Sequence, residues 1–276
     1  MTESLVDFHI HTSISDCSLP LEEVMALASR QNISHLSITD HDTLKAYPKA
    51  IELGRELNIT VIPGIEISAF DFKNKKKVHI LGYNVDVTNK RLEEVNLQTQ
   101  QKRQKAVEGM TRKTASLGYI VSEEEVAEIA GDSTNFYKQH ILRLLQQKGY
   151  TADMFGPLKK ELFASDGTGK AHVPMVYISA EEAIRLVSDA GGIPVMAHPG
   201  VKNNWEIIEE LCEIGLKGLE VYHSGHDSQA IAKAETIADN LGLLKTAGSD
   251  FHGEYAAKEV ELGYPAKLIQ DFLSVL

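Results

Sequence analysis

Two histidines one residue apart, His9 and His11, end a short apolar run near the start of the chain, and Asp16 stands five positions after the second. If the run is a β-strand, side chains at alternate positions share a face, so both imidazoles point the same way. Imidazole nitrogens and carboxylate oxygens together are ligands for Zn²⁺, Mn²⁺ or Fe²⁺. A short H-x-H motif also occurs by chance in polar loops, so the rest of the chain must decide between the two readings.

Similar side chains stand at or near the ends of six further predicted strands. They are Asp40 and His41, Glu66, His79, His198, Glu220 and His223, and Asp250 and His252. In a parallel β/α barrel the carboxyl ends of the strands meet on one face, where active sites lie. Each residue alone is explained equally well as a hydrogen-bonding or helix-capping residue. Seven strand ends that all carry His, Asp or Glu indicate a metal centre.

The number of candidate ligands, eight or nine, exceeds the needs of a single ion and predicts two or three divalent ions. The ligand types favour Mn²⁺, Fe²⁺ or Zn²⁺. Glu66, on a middle strand, is placed to bridge two of them. Two ions about 3.5–4 Å apart can hold a hydroxide and stabilise an in-line displacement at phosphorus. The pattern therefore predicts an enzyme that hydrolyses phosphate esters.

Strands and helices alternate along most of the chain, which predicts an α/β fold with a mainly parallel sheet. Seven strands are predicted, at about residues 4–10, 34–40, 60–70, 77–85, 192–198, 216–223 and 243–252. If these strands close into one sheet, they would form a barrel that resembles a TIM barrel lacking one strand. Residues 89–173 read instead as three polar helices and an irregular connection, 157–174. We expect them to form a helical domain inserted into a barrel of residues 1–88 and 174–276.

The charge of the chain limits its partners. The 276 residues carry a net charge of −11, which argues against a protein that coats nucleic acid. Residues 73–113 nevertheless form a basic segment of net charge +7, which is either a solvated helix face or a guide for a polyanionic substrate. No apolar run approaches the roughly 18 residues of a membrane span, and no secretory signal is recognisable. Two cysteines fit a reducing compartment, so we expect a cytoplasmic protein.

Five segments resemble the motifs of the PHP family, named for polymerase and histidinol phosphatase domains. They are DFHIHTSISD, SITDHDTL, PGIEIS, AHPG and GSDFHG. The helical insertion followed by LEVYHSGH is most similar to the stand-alone TrpH-type (RNase AM) phosphoesterases of that family. The resemblance implies a distorted seven-stranded β/α barrel with a small inserted helical domain.

The resemblance also implies a trinuclear metal site. His9, His11, Glu66 and Asp250 would surround one ion; Glu66, His79 and His198 a second; and Asp16, His41 and His252 a third. Some relatives have histidine where this chain has Asp16, so the third site is altered here. Glu66, Asp40 and His223 are the candidate catalytic residues. Asp40 would orient His41 or a bound water, and His223 would contact substrate or act as an acid.

The family hydrolyses phosphomonoesters and phosphodiesters, so the expected partner is a small phosphorylated nucleotide, such as a nucleoside 3′,5′-bisphosphate, or the 5′ end of a short single-stranded RNA. No stable nucleic-acid complex is expected. The candidate substrate contacts are Lys138, His140, Arg143, Lys170, His223 and His226. Relatives often carry Arg-Pro before the histidine that matches His140, whereas this chain has YKQHILR. The alternatives are a metal-dependent amidohydrolase, a histidinol phosphatase and a non-catalytic metal-binding module.

Overall fold

The computed structural model describes residues 5–265 and 269–276, and its backbone confirms the α/β class. The strands are β1 Leu5–Ile10, β2 Ile33–Ile38, β3 Thr60–Val61, β4 Gly64–Asp71, β5 Lys76–Tyr83, β6 Ile178–Ser179, β7 Ile193–Met196, β8 Gly218–His223, β9 Leu244–Gly248 and β10 Tyr264–Pro265. The helices are α1 Leu21–Arg30, α2 Tyr47–Leu57, α3 Lys90–Ser116, α4 Glu123–Ala130, α5 Lys138–Gln147, α6 Pro157–Phe163, α7 Ala180–Asp189, α8 Pro199–Lys202, α9 Ile208–Ile214, α10 Ser228–Leu241 and α11 Gln270–Leu273.

The strands form two mixed sheets, ordered β10-β1-β2-β3 and β6-β4-β5-β7-β8-β9. The prediction of a mainly parallel sheet is wrong at β5, which runs antiparallel to both β4 and β7. The turn of residues 72–75 between β4 and β5 is too short for the crossover that a parallel pair needs. The strand predicted over residues 60–70 is also two strands in different sheets, because Pro63 interrupts the run.

Two isolated bridges connect the two sheets. One joins Ile10 to Phe251, and the other joins His41 to Glu66. Seven strands of four or more residues overlap the seven predicted regions, and three two-residue strands accompany them in the described part of the chain. A single closed barrel of seven strands stays a prediction.

The first strand shows how burial positions the site. β1 is buried on both faces, with Val6 and Phe8 in the main apolar cluster. The ring of Phe8 packs edge-on against Tyr83, whose hydroxyl donates to the Phe8 carbonyl at 2.9 Å. Alternation along the strand turns the side chains of Asp7 and His9 to the opposite face. The apolar face therefore anchors the strand that carries the paired histidines.

Helices α3 to α6 pack around an apolar cluster of their own, which contains Val107, Met110, Ile141, Leu145 and Phe163. Capping side chains begin two of these helices: Asn89 accepts from the Leu92 amide, and Ser122 forms a capping box with Glu125. The irregular connection expected from residue 157 is wrong at its start, since α6 begins there with a proline in its first turn. None of the described helices has the length and apolar character that crossing a membrane requires.

We predict that Gly248→Ala destabilises the protein, because β9 and β1 approach each other closely at this glycine. A Cβ there would lie 2.2 Å from His9 Cβ and 2.7 Å from Glu220 Oε1. Overpacking of this kind costs about 2–3 kcal/mol, which differential scanning calorimetry would record as a fall of roughly 5–10 °C in Tm. The control is Gly109→Ala within α3, where a Cβ meets only the Val173 side chain, at 3.2 Å or more. We expect its Tm to be unchanged or higher; equal losses in both variants would contradict the close packing of β9 on β1.

Candidate metal centre

The centre is built around the carboxylate of Glu66, which is 1% exposed on β4. Its Oε2 lies 3.0 Å from His41 Nδ1, 3.2 Å from His11 Nε2 and 3.4 Å from His9 Nε2. Its Oε1 lies 2.7 Å from His79 Nδ1 and 3.1 Å from His198 Nε2. One buried carboxylate therefore faces five imidazoles, divided between its two oxygens.

The predicted ligands form overlapping groups, each with donor atoms within 4.8 Å of one another. The groups are His9, His11, Glu66 and Asp250; His41, Glu66 and His79; and His11, Asp16, His41 and His252. The ring of His198 stacks against that of His9, with centroids 5.7 Å apart. All nine predicted ligands therefore meet at one place in the structure.

Glu220 holds two of these histidines in position. His9 Nδ1 donates to Glu220 Oε1 at 2.9 Å, and the His198 amide donates to Glu220 Oε2 at 2.8 Å. A carboxylate on the second nitrogen of an imidazole turns the first nitrogen toward a metal. The sequence places Glu220 near a strand end, but only the structure assigns it this orienting contact.

The unpaired atoms of the cluster fit metal ions. Within the described residues, five buried donor or acceptor atoms of the predicted ligands lack a hydrogen-bond partner: His9 Nε2, His11 Nε2, Asp16 Oδ1, His41 Nδ1 and His198 Nδ1. Buried polar atoms in proteins are nearly always paired. Nitrogen and carboxylate donors that converge without partners are the set that Mn²⁺, Fe²⁺ or Zn²⁺ coordinates. The residues therefore fit divalent ions.

The charges of the cluster favour cations as well. Burial raises the pKa of the Glu66 carboxyl, but the charges of neighbours such as His41 and His79 outweigh burial and hold this pKa well below its usual range. Imidazoles lower the pKa of the half-buried Asp250 carboxyl in the same way. Burial lowers the pKa of His198 to about 4. Ionised carboxylates and a neutral imidazole are the forms that bind metal ions.

Asp40 has a different contact from the one expected. Its carboxylate accepts hydrogen bonds from the Thr12 amide at 2.8 Å, the Thr12 hydroxyl at 2.7 Å and the Ser15 hydroxyl at 2.6 Å. These contacts are to the loop and not to His41, and a role for Asp40 in orienting a bound water stays a prediction. Asp40 instead fixes the loop between His11 and Asp16, which carries ligands at both of its ends.

Two of the predicted phosphate contacts point elsewhere. Arg143 pairs with Glu254, with 3.0 Å between Nη2 and Oε2. Lys170 is exposed and pairs with Glu161, with 2.6 Å between Nζ and Oε1. Neither residue lines the cavity beside the centre. Acidic neighbours on the surface bind both side chains, so a substrate contact by either residue stays a prediction.

Two predicted histidine contacts are structural. His140 Nδ1 accepts from the Tyr137 amide at 3.1 Å, and burial lowers the pKa of His140 to about 4. His226 Nε2 accepts from the Gly200 amide at 3.1 Å, while its Nδ1 donates to the Val221 carbonyl at 2.9 Å. Each ring is thus bonded to backbone, and the prediction that the two histidines contact substrate stays a prediction.

His223 does lie in the cluster. Its Nε2 is 3.5 Å from Asp250 Oδ2, and its Nδ1 accepts from the Gly225 amide at 2.8 Å. Since Nδ1 is an acceptor, the proton of the neutral ring resides on Nε2. A proton is thus held at the nitrogen that faces the centre.

A cavity of about 690 Å³ opens beside the centre, where Asp16, His41 and His79 line it. Four lysines line the same cavity: Lys77, Lys138, Lys159 and Lys202. Burial, together with the charges of the other three lysines and of Arg103, lowers the pKa of Lys138 to about 8. Only Lys138 was predicted from the sequence. Lys77 was detectable, because it precedes His79 by two residues on β5 and shares its face.

Comparison with known proteins supports the chemistry of the centre. The PHP domain model matches residues 7–214. A phosphoribosyl 1,2-cyclic phosphate 1,2-diphosphodiesterase of Eggerthella lenta is 33% identical over 249 residues, which are 90% of this chain and 94% of the relative. The 5′-3′ exoribonuclease Rnm of Escherichia coli is 31% identical over 258 residues, 90% of this chain and 85% of the relative. A 3′,5′-nucleoside bisphosphate phosphatase of Chromobacterium violaceum is 27% identical over 253 residues, 90% of this chain and 87% of the relative.

The backbone agrees with these similarities. A solved structure from Bifidobacterium adolescentis, assigned to the metal-dependent phosphoesterases, superimposes with a TM-score of 0.86 at 25% identity. The match covers 99% of this chain and 96% of that one. The matching family model, the relatives and the shared backbone agree that the chain belongs to the PHP family of metal-dependent phosphoesterases.

Proposed function

We propose that this phosphoesterase hydrolyses a ribose-based substrate that carries two phosphate groups, such as a nucleoside 3′,5′-bisphosphate or the phosphorylated 5′ end of a short single-stranded RNA. The observation that carries the proposal is one cavity with a metal centre on one side and four lysines on another. Two relatives point the same way, since their names give substrates with two phosphoryl groups on a ribose. The reacting phosphate belongs at the centre and the second one at the lysines.

The proposed ligands would divide among up to three ions, with Glu66 shared by two of the ligand sets. His9, His11 and Asp250 complete one set, His79 and His198 a second, and Asp16, His41 and His252 a third. Bound Mn²⁺, Fe²⁺ or Zn²⁺ ions would activate water and neutralise the charge that develops on the phosphoryl group. Around them, Glu220 orients His9, and Asp40 holds the loop of His11 and Asp16. His223 is the proposed donor of a proton to the leaving oxygen, from Nε2.

Residues 89–173 are the proposed substrate-recognition domain, inserted into a metal-binding barrel of residues 1–88 and 174–276. Lys138 opens α5, and Val107 and Met110 on α3 also line the cavity. Helices of this segment therefore form a wall of the site. The two bridges between the sheets support the proposal that the remaining strands close as a distorted seven-stranded barrel. A reducing compartment such as the cytoplasm is proposed because Cys17 and Cys212 are both free thiols.

We predict that Glu66→Gln loses at least one equivalent of metal and slows phosphoester hydrolysis on the order of 10³-fold. A neutral amide cannot bridge two cations or balance the imidazoles around it. Elemental analysis and a phosphate-release assay measure the two effects. The control is Glu56→Gln on the exposed face of α2, which should behave as the wild type. Full metal content and normal turnover in Glu66→Gln would refute the proposed centre.

We predict that a nucleoside 3′,5′-bisphosphate is hydrolysed with about tenfold to a hundredfold higher kcat/KM than the matching monophosphate. One charge-assisted contact contributes roughly 1.5–3 kcal/mol, and binding at a remote group orients the reacting one. Lys138→Ala should remove most of this preference while leaving monophosphate turnover nearly unchanged. Lys170→Ala is the matched control, because Lys170 lies outside the cavity. A monophosphate that proves the better substrate would overturn the two-phosphate proposal but not the metal centre.

We predict that kcat/KM for the bisphosphate falls as pH rises through about 8. Burial and the surrounding positive charges place the pKa of Lys138 at about 8, so its ammonium is protonated below that pH and lost above it. The groups that face it are Lys77, Lys159, Lys202 and Arg103. Because this contact serves only the remote phosphate, the monophosphate profile should lack the decrease. A pH profile of Lys138→Ala that retains the same decrease would assign it to another group.

A further inference from the structure

Along one face of the β4–β5 hairpin, the chemical character of the side chains changes with distance from the metal centre. Directly opposed residues of an antiparallel pair point to the same side, and here Ser68 opposes His79 while Phe70 opposes Lys77. All four line the cavity. Two residues along a strand span about 7 Å. Along this face of the hairpin, moving about 7 Å away from the metal centre leads from the metal ligand His79 to the cation Lys77 and the aromatic ring of Phe70.

Three aromatic rings, Phe70, Phe72 and Tyr177, form what we call the aromatic shelf at the outer part of the cavity. Phe70 packs edge-on against Phe72, with centroids 5.2 Å apart, and nearly parallel to Tyr177, with centroids 6.2 Å apart. The ammonium of Lys77 lies 5.5 Å from the centre of the Tyr177 ring. The shelf is thus continuous with the lysines and the metal centre.

Within the shelf, Phe72 is exposed, whereas Phe70 and Tyr177 are half-buried. Phe72 is 62% exposed and the neighbouring Val176 is 63% exposed, yet both line the cavity. Exposed apolar side chains grouped in a concave site mark a surface that a ligand covers. A sugar phosphate offers little flat apolar surface to such rings. A nucleobase offers two broad π-faces, and base–aromatic stacking tolerates any base.

We propose that the aromatic shelf binds the nucleobase of the substrate, with the base stacked on Phe72. The inference rests on the proposed function and narrows it from ribose phosphates to nucleotides. The reacting phosphate lies at the metal centre, the second phosphate lies at Lys77 and its neighbouring lysines, and the base lies beyond them. This order follows the order of side chains along the hairpin.

The test compares a nucleoside 3′,5′-bisphosphate with its abasic analogue, which keeps the ribose and both phosphates but has hydrogen in place of the base. Steady-state kinetics of the Mn²⁺-loaded wild type should give a kcat/KM about tenfold to a hundredfold higher for the nucleotide, mostly through KM. Phe72→Ala should bring the two substrates close to equality by weakening the nucleotide alone. Phe72→Trp should restore the preference. Ile120→Ala is the control, because Ile120 is 71% exposed but outside the cavity.

The outcomes separate the two proposals. Equal kcat/KM for nucleotide and abasic analogue in the wild type would overturn the aromatic shelf and leave the two-phosphate proposal standing. Equal losses on both substrates in Phe72→Ala, without rescue by Phe72→Trp, would also overturn it, because the ring would then support the fold and not the base. A wild type that hydrolyses neither bisphosphate would refute the proposed function, and the shelf with it.

Discussion

The structure depends on keeping one carboxylate ionised where water is almost excluded. Glu66 is buried, and an isolated buried carboxylate is costly unless positive charge or hydrogen bonds compensate it. Here five imidazoles face its two oxygens, and they come from four different strands or strand ends. The chain brings those strand ends together around Glu66, and their unpaired nitrogens leave room for the cations that complete the charge balance.

The helical segment is tied to this carboxylate through Asp42. The amide of Asp42 donates to the Glu66 carbonyl at 2.9 Å, and its carboxylate accepts from the Ser68 amide at 2.8 Å and from Arg103 on α3. The Arg103 guanidinium also donates to the Ser68 hydroxyl and stacks on Tyr137, 4.8 Å from the ring centre. With its side chain only 12% exposed, Arg103 is part of the scaffold, although the basic segment that contains it reads in the sequence as a possible guide for polyanions. A helix outside the sheets therefore stabilises the strand that carries Glu66.

The sequence predicts most of the centre and little of its substrate contacts, for physical reasons. Ligands such as His9 and His11 follow a local period of two residues at strand ends, so spacing alone reveals them. The contacts of Asp40 and Arg143 depend on which loops and surface acids fold back beside them, and no local pattern encodes that. The direction of β5 depends on the four-residue turn of residues 72–75, which is too short for a crossover. The alternation of strands and helices in the rest of the chain led instead to the prediction of a parallel strand.

The cavity contains two charge clusters of opposite sign that do not neutralise each other. The low pKa values of Glu66 and Asp250 mark the first, and the lowered pKa of Lys138 marks the second, where positive charges surround the ammonium. The first cluster pairs ionised carboxylates with imidazoles and would bind phosphate through the cations that it holds, whereas the second attracts phosphate through its own lysines. In the proposed function, the metal centre therefore binds one end of the substrate and the lysines bind the other. A molecule with a single phosphate satisfies only one of them, and a ribose with two phosphates satisfies both at once.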